Sequence, residues 1–255
     1  MEVDIEVKAM AYISKRFHTP MFEQMLFPND LEGVLMEMQF TPDMLAQAAR
    51  FRQSLVRNGL SRLNDGEAQW RRPVNVERVI LVVGQVESDT SLKHGAQSIR
   101  TNLGLLKTVA QANADAHIVY KPHPEVWATL QNNSAYRHEM QLWCDETVGN
   151  ITLSQLLPKV NEVHVMTSLA GFEALLRSKK VSCYGRPFYA GWGLTTDMVS
   201  MPTRPRQLHI DELVAGAFFS YPRYMHRLEG KTALVNEHQL GMYPQRQSTP
   251  QSLAA

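Results

Sequence analysis

Cysteine is scarce in this sequence. Cys144 and Cys183 are its two cysteines, too few for a disulfide framework or a four-ligand zinc site, and they read as small apolar side chains in a reducing compartment. An excess of one charge sign is missing too. With 26 basic and 25 acidic residues the net charge is +1, so no global field steers the chain onto nucleic acid or an anionic bilayer. Any anion site must therefore be local. Long apolar runs are absent, because the stretch Val79 to Val83 falls far short of the roughly 18 residues a membrane span needs. The amino-terminal MEVDIEVKAMAYISKRF mixes acids with lysines where a secretion signal starts basic and turns apolar, so secretion is not expected. No GxGxxG, P-loop, HExxH or EF-hand pattern occurs, which removes the usual support for a triphosphate kinase site or a zinc hydrolase.

What is present suffices for a core. Hydrophobic residues are 44% and charged residues 20% of the 255, a balance that excludes wholesale disorder and allows one or two domains. Residues 1–40 lack clear periodicity, contain the turn signal Phe27-Pro28-Asn29-Asp30, and read as a loosely defined lead-in. Thr41 is placed to cap a helix with Pro42 at its first position; Met44, Ala48, Phe51 and Leu55 share one face until Asn58-Gly59 ends it. Residues 62–76 are polar, with Asn64-Asp65-Gly66 as a turn, and read as a linker.

From Arg78 the pattern changes. Val79-Ile80-Leu81-Val82-Val83, closed by Gly84, is the signature of a strand buried on both faces of a parallel sheet. Ile99, Leu103, Leu106 and Ala110 follow at helical spacing, and Ile118 to Tyr120 read as a second strand. Leu153, Leu156, Leu157 and Val160 suggest a short helix and Glu162 to Met166 a third strand. Leu169, Phe172, Leu175 and Leu176 mark another helix face, and Val181 to Tyr184 a fourth strand. Such alternation predicts an α/β fold with a Rossmann-like, doubly wound parallel sheet. The expected division is a lead-in over 1–76, a Rossmann-like lobe over 77–230 and a flexible tail over 231–255, Gln/Ser/Pro-rich from Pro244.

Ligands of an open parallel sheet bind beyond the carboxyl ends of its strands. After the first strand comes Gly84-Gln85-Val86-Glu87-Ser88-Asp89-Thr90-Ser91, holding two carboxylates, with a simple helix cap at Asp89 or Ser91 as the structural alternative. The second strand runs into Lys121-Pro122-His123-Pro124-Glu125, where two prolines stiffen the backbone around a histidine that, with Lys121, can give charge-assisted hydrogen bonds to a phosphate. The alternative there is an ordinary proline-punctuated loop. The third strand ends at Thr167-Ser168, with Gly171 and Glu173 beyond. A helix terminus at this point would hold a phosphate while Glu173 accepts from ribose hydroxyls; the alternative is a Ser cap with a Glu close to a capping-box arrangement. The fourth strand leads into the glycine- and aromatic-rich Gly185 to Asp197, whose aromatics suit either a site or the core. Together the strand ends imply a phosphorylated nucleotide.

The segments GQVESDTS at 84–91, YKPHPE at 120–125, VHVMTSLAGFEALLRSKKVSCYGRPFYAGWGLTTD at 163–197 and YPRYMH at 221–226, with FPNDLEGVL at 27–35, resemble capsule polysaccharide β-Kdo transferases of the KpsC/LipB type. That resemblance implies a GT-B-like nucleotide-sugar-binding lobe that transfers Kdo from CMP-Kdo, with retention, to a Kdo-primed glycolipid in capsule biosynthesis and export. It implies Asp89 as nucleophile, and Lys121 and His123 as contacts to the CMP phosphate. Gln85, Thr167, Ser168 and Glu173 are implied as further substrate-binding positions. No cofactor and no metal are implied beyond the CMP-sugar donor. The implied partners are the donor, the Kdo-bearing acceptor and other capsule biosynthesis or export proteins, without nucleic acid. The implied location is the cytoplasm, with peripheral association at the inner face of the membrane. The family's upstream Gly-Phe-Leu-Arg-Ser-like motif has no counterpart here, so the expectation is the carboxyl-terminal part of one module. Two alternatives remain open at this stage: another GT-B nucleotide-sugar enzyme, and a non-catalytic nucleotide-binding or assembly unit of the capsule machinery.

Overall fold

The computed structural model describes residues 30–61, 66, 68–221, 225–228 and 231–234. Strand β1 (Val79–Val83) is buried at every position, as its run of branched side chains requires. It lies inside a six-stranded sheet with β2 (His117–Lys121), β3 (Glu146–Thr147), β4 (Glu162–Val165), β5 (Lys180–Cys183) and β6 (Thr196–Asp197). The spatial order is β3-β2-β1-β4-β5-β6 and every pairing is parallel. This is the Rossmann order, and it reverses between β1 and β4, where such sheets open a crevice.

Alternate residues of the strands feed two apolar layers. Val79, Leu81, Val83, Val119, Val163 and Val165 face one layer. It is built by α1 (Asp30–Glu37), α2 (Pro42–Arg57), α7 (Leu153–Leu156) with the 3₁₀ turn Leu157–Lys159, α8 (Leu169–Leu176) and α9 (Ile210–Ala215). Ile80, Val82, Ile118 and Tyr120 face the other. It is covered by α3 (Thr90–Gly95), α4 (Asn102–Ala112), α5 (Pro124–Asn132) and α6 (Ser134–Gln141). The backbone of β7 (Met225–Leu228) and β8 (Lys231–Leu234) forms an antiparallel pair that runs across the boundary placed at 230.

The expected helix at 42–57 forms as read, with Thr41 Oγ1 accepting from Met44 N–H. Its Phe51 packs edge-on against Phe218 and Phe219. The lead-in differs from the reading: Asp30–Glu37 is helical, and Leu31 and Leu35 are fully buried. Eight residues give too few turns for the period to stand out. The linker reading is also revised over 68–76. Trp70 is buried, its Nε1–H bonding Glu146 Oε2 at 2.8 Å, and Arg72 donates to the carbonyls of Lys159, Val76 and Glu77. Around the fourth strand end, Phe188, Tyr189 and Trp192 are core residues. The turn signals at Phe27-Pro28-Asn29 and Asn64-Asp65, part of the YPRYMH segment, and the tail from Pro244 lie outside the described residues.

Candidate functional site

Beyond β1 the chain is fastened to the end of β4 through Gln85. Its backbone N–H donates to Asn102 Oδ1 at 2.8 Å, and Asn102 Nδ2 returns a bond to the Gln85 carbonyl at 2.9 Å. The Gln85 amide donates to Ser91 Oγ at 2.6 Å and to Thr167 Oγ1 at 2.9 Å, and accepts from Thr167 N–H at 3.3 Å. This buried network spends the polar groups of Gln85 and Thr167 on each other, so both hold the loop in place. Asp89 caps α3, its Oδ1 accepting from Ser91 N–H at 2.8 Å. Its carboxylate also lines the pocket described below, so the capping and functional readings fall on one side chain. Glu87 is not placed with it: Oε1 accepts from Asn102 N–H at 2.7 Å and from Asn102 Nδ2 at 3.1 Å, at the start of α4.

Lys121 is the last residue of β2 and only 9% exposed. Burial lowers its pKa. Among the described residues it makes no ion pair and no side-chain hydrogen bond. Two residues on, His123 is extended, with φ −61° and ψ 148°, and it caps α5 with Pro124 in the first turn. Pro124 serves a helix start, which the loop reading missed. His123 Nδ1 accepts from Glu125 N–H at 3.3 Å, and that assigns the ring proton to Nε2. The imidazole is thus held as a donor.

Ser168 caps α8, Oγ accepting from Ala170 N–H at 3.3 Å. The Tyr189 hydroxyl, reaching in from the aromatic loop, donates to the Ser168 carbonyl. Gly171 is needed there because a Cβ would lie 2.3 Å from that hydroxyl oxygen. Gly171 occupies the third helical position, so the capping-box alternative does not form. Glu173 falls one turn further in and is 1% exposed. Arg177 donates to the Glu173 carbonyl at 3.0 Å and to the Leu60 carbonyl at 2.9 Å.

These pieces surround one pocket of about 70 Å³ at the carboxyl edge of β1, β2 and β4, room for several waters or a ligand group. Gln85, Asp89, Lys121, His123, Ser168 and Glu173 all line it, while Thr167 supports it from behind. Helices α3, α5, α7 and α8 begin at its wall, and the two longest, α5 and α8, present the positive ends of their dipoles. Sequence reasoning missed the lining roles of Ser61, just after α2, and Leu153, at the start of α7. Neither belongs to a strand end. The site therefore combines a cation, a histidine donor and two helix termini with two carboxylates, which suits a ligand that is anionic at one end and rich in hydroxyls at the other. Among the described residues no cluster of His, Cys, Asp or Glu is arranged to hold a metal ion, and no helix is long and apolar enough to cross a membrane.

Residues 25–231 match the family described as "Capsule polysaccharide biosynthesis protein". The capsule polysaccharide modification protein LipA of Neisseria meningitidis serogroup B is 42% identical over 199 residues, which are 78% of this chain and 28% of LipA. The lipopolysaccharide-processing protein LpsZ of Rhizobium meliloti is 35% identical over 231 residues, 89% of this chain and 52% of LpsZ. The chain thus spans between a quarter and about half of these relatives. Two solved structures of Thermosulfurimonas dismutans KpsC superpose on it, each with a TM-score of 0.71 and each covering 87% of this chain. The first, a beta Kdo 2,7 transferase, is 39% identical with 68% of its own length covered. The second, a beta Kdo 2,4 transferase, is 26% identical with 70% covered. With the Rossmann-like sheet, the pocket at its carboxyl edge and a match over most of its length, the chain belongs to the capsule polysaccharide biosynthesis protein family.

Proposed function

We propose that the pocket binds CMP-Kdo and that the chain is the donor-binding lobe of a retaining, GT-B-type Kdo transferase. The observation that carries this reading is Lys121: a buried ammonium with no carboxylate partner among the described residues, facing a pocket at whose wall α5 and α8 begin. A buried charge calls for a partner, and a nucleotide phosphate would supply it. In this mechanism the phosphate sits against Lys121 Nζ, His123 Nε2–H and the first turn of α8. Glu173 accepts from ribose hydroxyls. The Asp89 carboxylate attacks the anomeric carbon of Kdo as its bond to the phosphate oxygen breaks, and the departing electron pair rests on CMP. An acceptor hydroxyl then displaces the carboxylate, losing its proton as the glycosidic bond forms, and two inversions give retention. Gln85 and Thr167 hold the Asp89 loop against the end of β4. Support also comes from the KpsC structures, whose names record Kdo transfer.

The acceptor in this reading is a Kdo-bearing glycolipid handled with other capsule biosynthesis and export proteins, and the site of action is the inner face of the cytoplasmic membrane. The test is to incubate the chain, joined to the amino-terminal lobe of its module, with CMP-Kdo and a synthetic Kdo-primed acceptor and to determine product mass and anomeric configuration. One added Kdo with retained configuration is expected. Inverted product, or transfer from a different nucleotide sugar only, would contradict the mechanism.

A further inference from the structure

The donor chemistry leaves one polar lining residue without a task. Helix α2 ends in a Schellman turn: Asn58 is the C-cap, Gly59 takes φ +60°, and Leu60 N–H returns to the Leu55 carbonyl at 3.0 Å. The next residue, Ser61, enters the pocket. Its approach is pinned from the other side, since the Leu60 carbonyl accepts from Arg177, which also donates to the Glu173 carbonyl. Ser61 and Glu173 are therefore held on the same side of the cavity by one guanidinium. The Ser61 hydroxyl oxygen is buried and has no hydrogen-bond partner among the described residues. Buried hydroxyls in folded proteins are nearly always paired, and this one lines a cavity that can supply the missing group.

We propose that Ser61 is a ligand-binding residue whose hydroxyl hydrogen-bonds the neutral, nucleoside end of the nucleotide. This rests on the nucleotide reading of the pocket. The choice of end follows from charge. Lys121 and His123, from the β2 end, attract phosphate, whereas the Glu173 carboxylate on the side of Ser61 repels a dianion and favours ribose hydroxyls or the polar edge of a base. Ser61 would thus read the part of the ligand that a phosphate site alone cannot distinguish, and the α2 segment becomes part of the donor site.

Isothermal titration of the whole chain with cytidine, CMP and inorganic phosphate tests this. Ser61→Ala, checked for an unchanged melting temperature, is expected to weaken cytidine and CMP by the same factor, about threefold to tenfold, the range for one neutral hydrogen bond. Phosphate binding should stay at the wild-type value. Wild-type CMP affinity in Ser61→Ala would overturn the inference, and so would a loss shared by inorganic phosphate, which would place the hydroxyl at the wrong end. If the unmutated chain binds neither cytidine nor CMP, the nucleotide reading itself falls, an outcome distinguishable from the other two.

Discussion

The two edges of the main sheet handle positive charge in opposite ways. At the amino edge, Arg78 just before β1 bonds Glu162 at 2.9 Å through both Nε and Nη2, Asn113 at 2.8 Å and Asp115 at 3.3 Å. The hydrogen bonds with Glu162 raise the arginine pKa and lower that of the carboxyl. At the carboxyl edge, Lys121 is more buried yet has no such partner among the described residues. One cation is paired within the fold; in the proposed reading the other is kept for the anionic ligand. Internal pairing offsets the desolvation of Arg78, whereas Lys121 bears that cost unpaired among the described residues, the mark of a candidate anion site.

The largest effect expected at the carboxyl edge concerns Asp89. Asp89→Asn keeps an equally good cap on α3, so stability and CMP affinity should hold while Kdo transfer falls by at least about a thousandfold. Intact-protein mass spectrometry of the unmutated chain joined to the amino-terminal lobe of its module, quenched during turnover, should show a Kdo adduct on the peptide containing Asp89. Near-normal activity in Asp89→Asn would reduce the residue to a cap. Glu87 is no substitute, since it is bonded to the start of α4.

Next comes the contrast between the two cations. Lys121→Met should weaken CMP by about tenfold to a hundredfold in titration calorimetry, with a melting temperature unchanged or raised because an unpaired buried charge is gone. Arg78→Met should do the reverse, costing about 1–3 kcal/mol in urea denaturation by leaving Glu162 without its partner, with CMP affinity intact. If both variants lose stability and neither loses affinity, the contrast between the edges collapses.

His123 sharpens it further. His123→Ala removes both the Nε2 donor and the α5 cap, so CMP affinity should fall about tenfold and stability by about 0.5–1 kcal/mol. His123→Asn restores the cap, and its melting temperature should return to normal.

The smallest effect is a pH dependence. Burial lowers the Lys121 pKa, so between that value and the ordinary lysine range the unfolded chain binds the proton that the folded chain has lost. Unliganded stability attributable to Lys121 should therefore rise with pH across this window, while CMP affinity falls as the ammonium disappears. Titrations from about pH 8 upward should show both trends, and Lys121→Met should flatten them.

Much of the sheet was legible because a buried parallel strand has an unmistakable text, as in Val79 to Val83, and because ligand residues follow strand ends. That rule singles out Asp89, Lys121, His123, Ser168 and Glu173 as candidates, and the fold places them around one pocket. It failed where the signal was short or served two purposes. The edge strands β3 and β6 have two residues each, too few for any pattern. Pro124 reads as a loop stiffener, yet proline also begins helices, and that double use hides α5. Tyr189 and Trp192 could have served a site or the core; burial decides for the core, with Tyr189 still acting on the site through the Ser168 carbonyl. Ser61 was invisible because its route to the pocket depends on the turn after α2 and on Arg177, contacts that no local pattern encodes.

The most direct test of the contrast between the edges is a crystal structure of the chain grown with CMP. The account predicts the phosphate within hydrogen-bonding distance of Lys121 Nζ and His123 Nε2 at the start of α8, with the nucleoside directed toward Glu173. A phosphate bound elsewhere, or Lys121 turned onto a carboxylate with CMP in place, would contradict it.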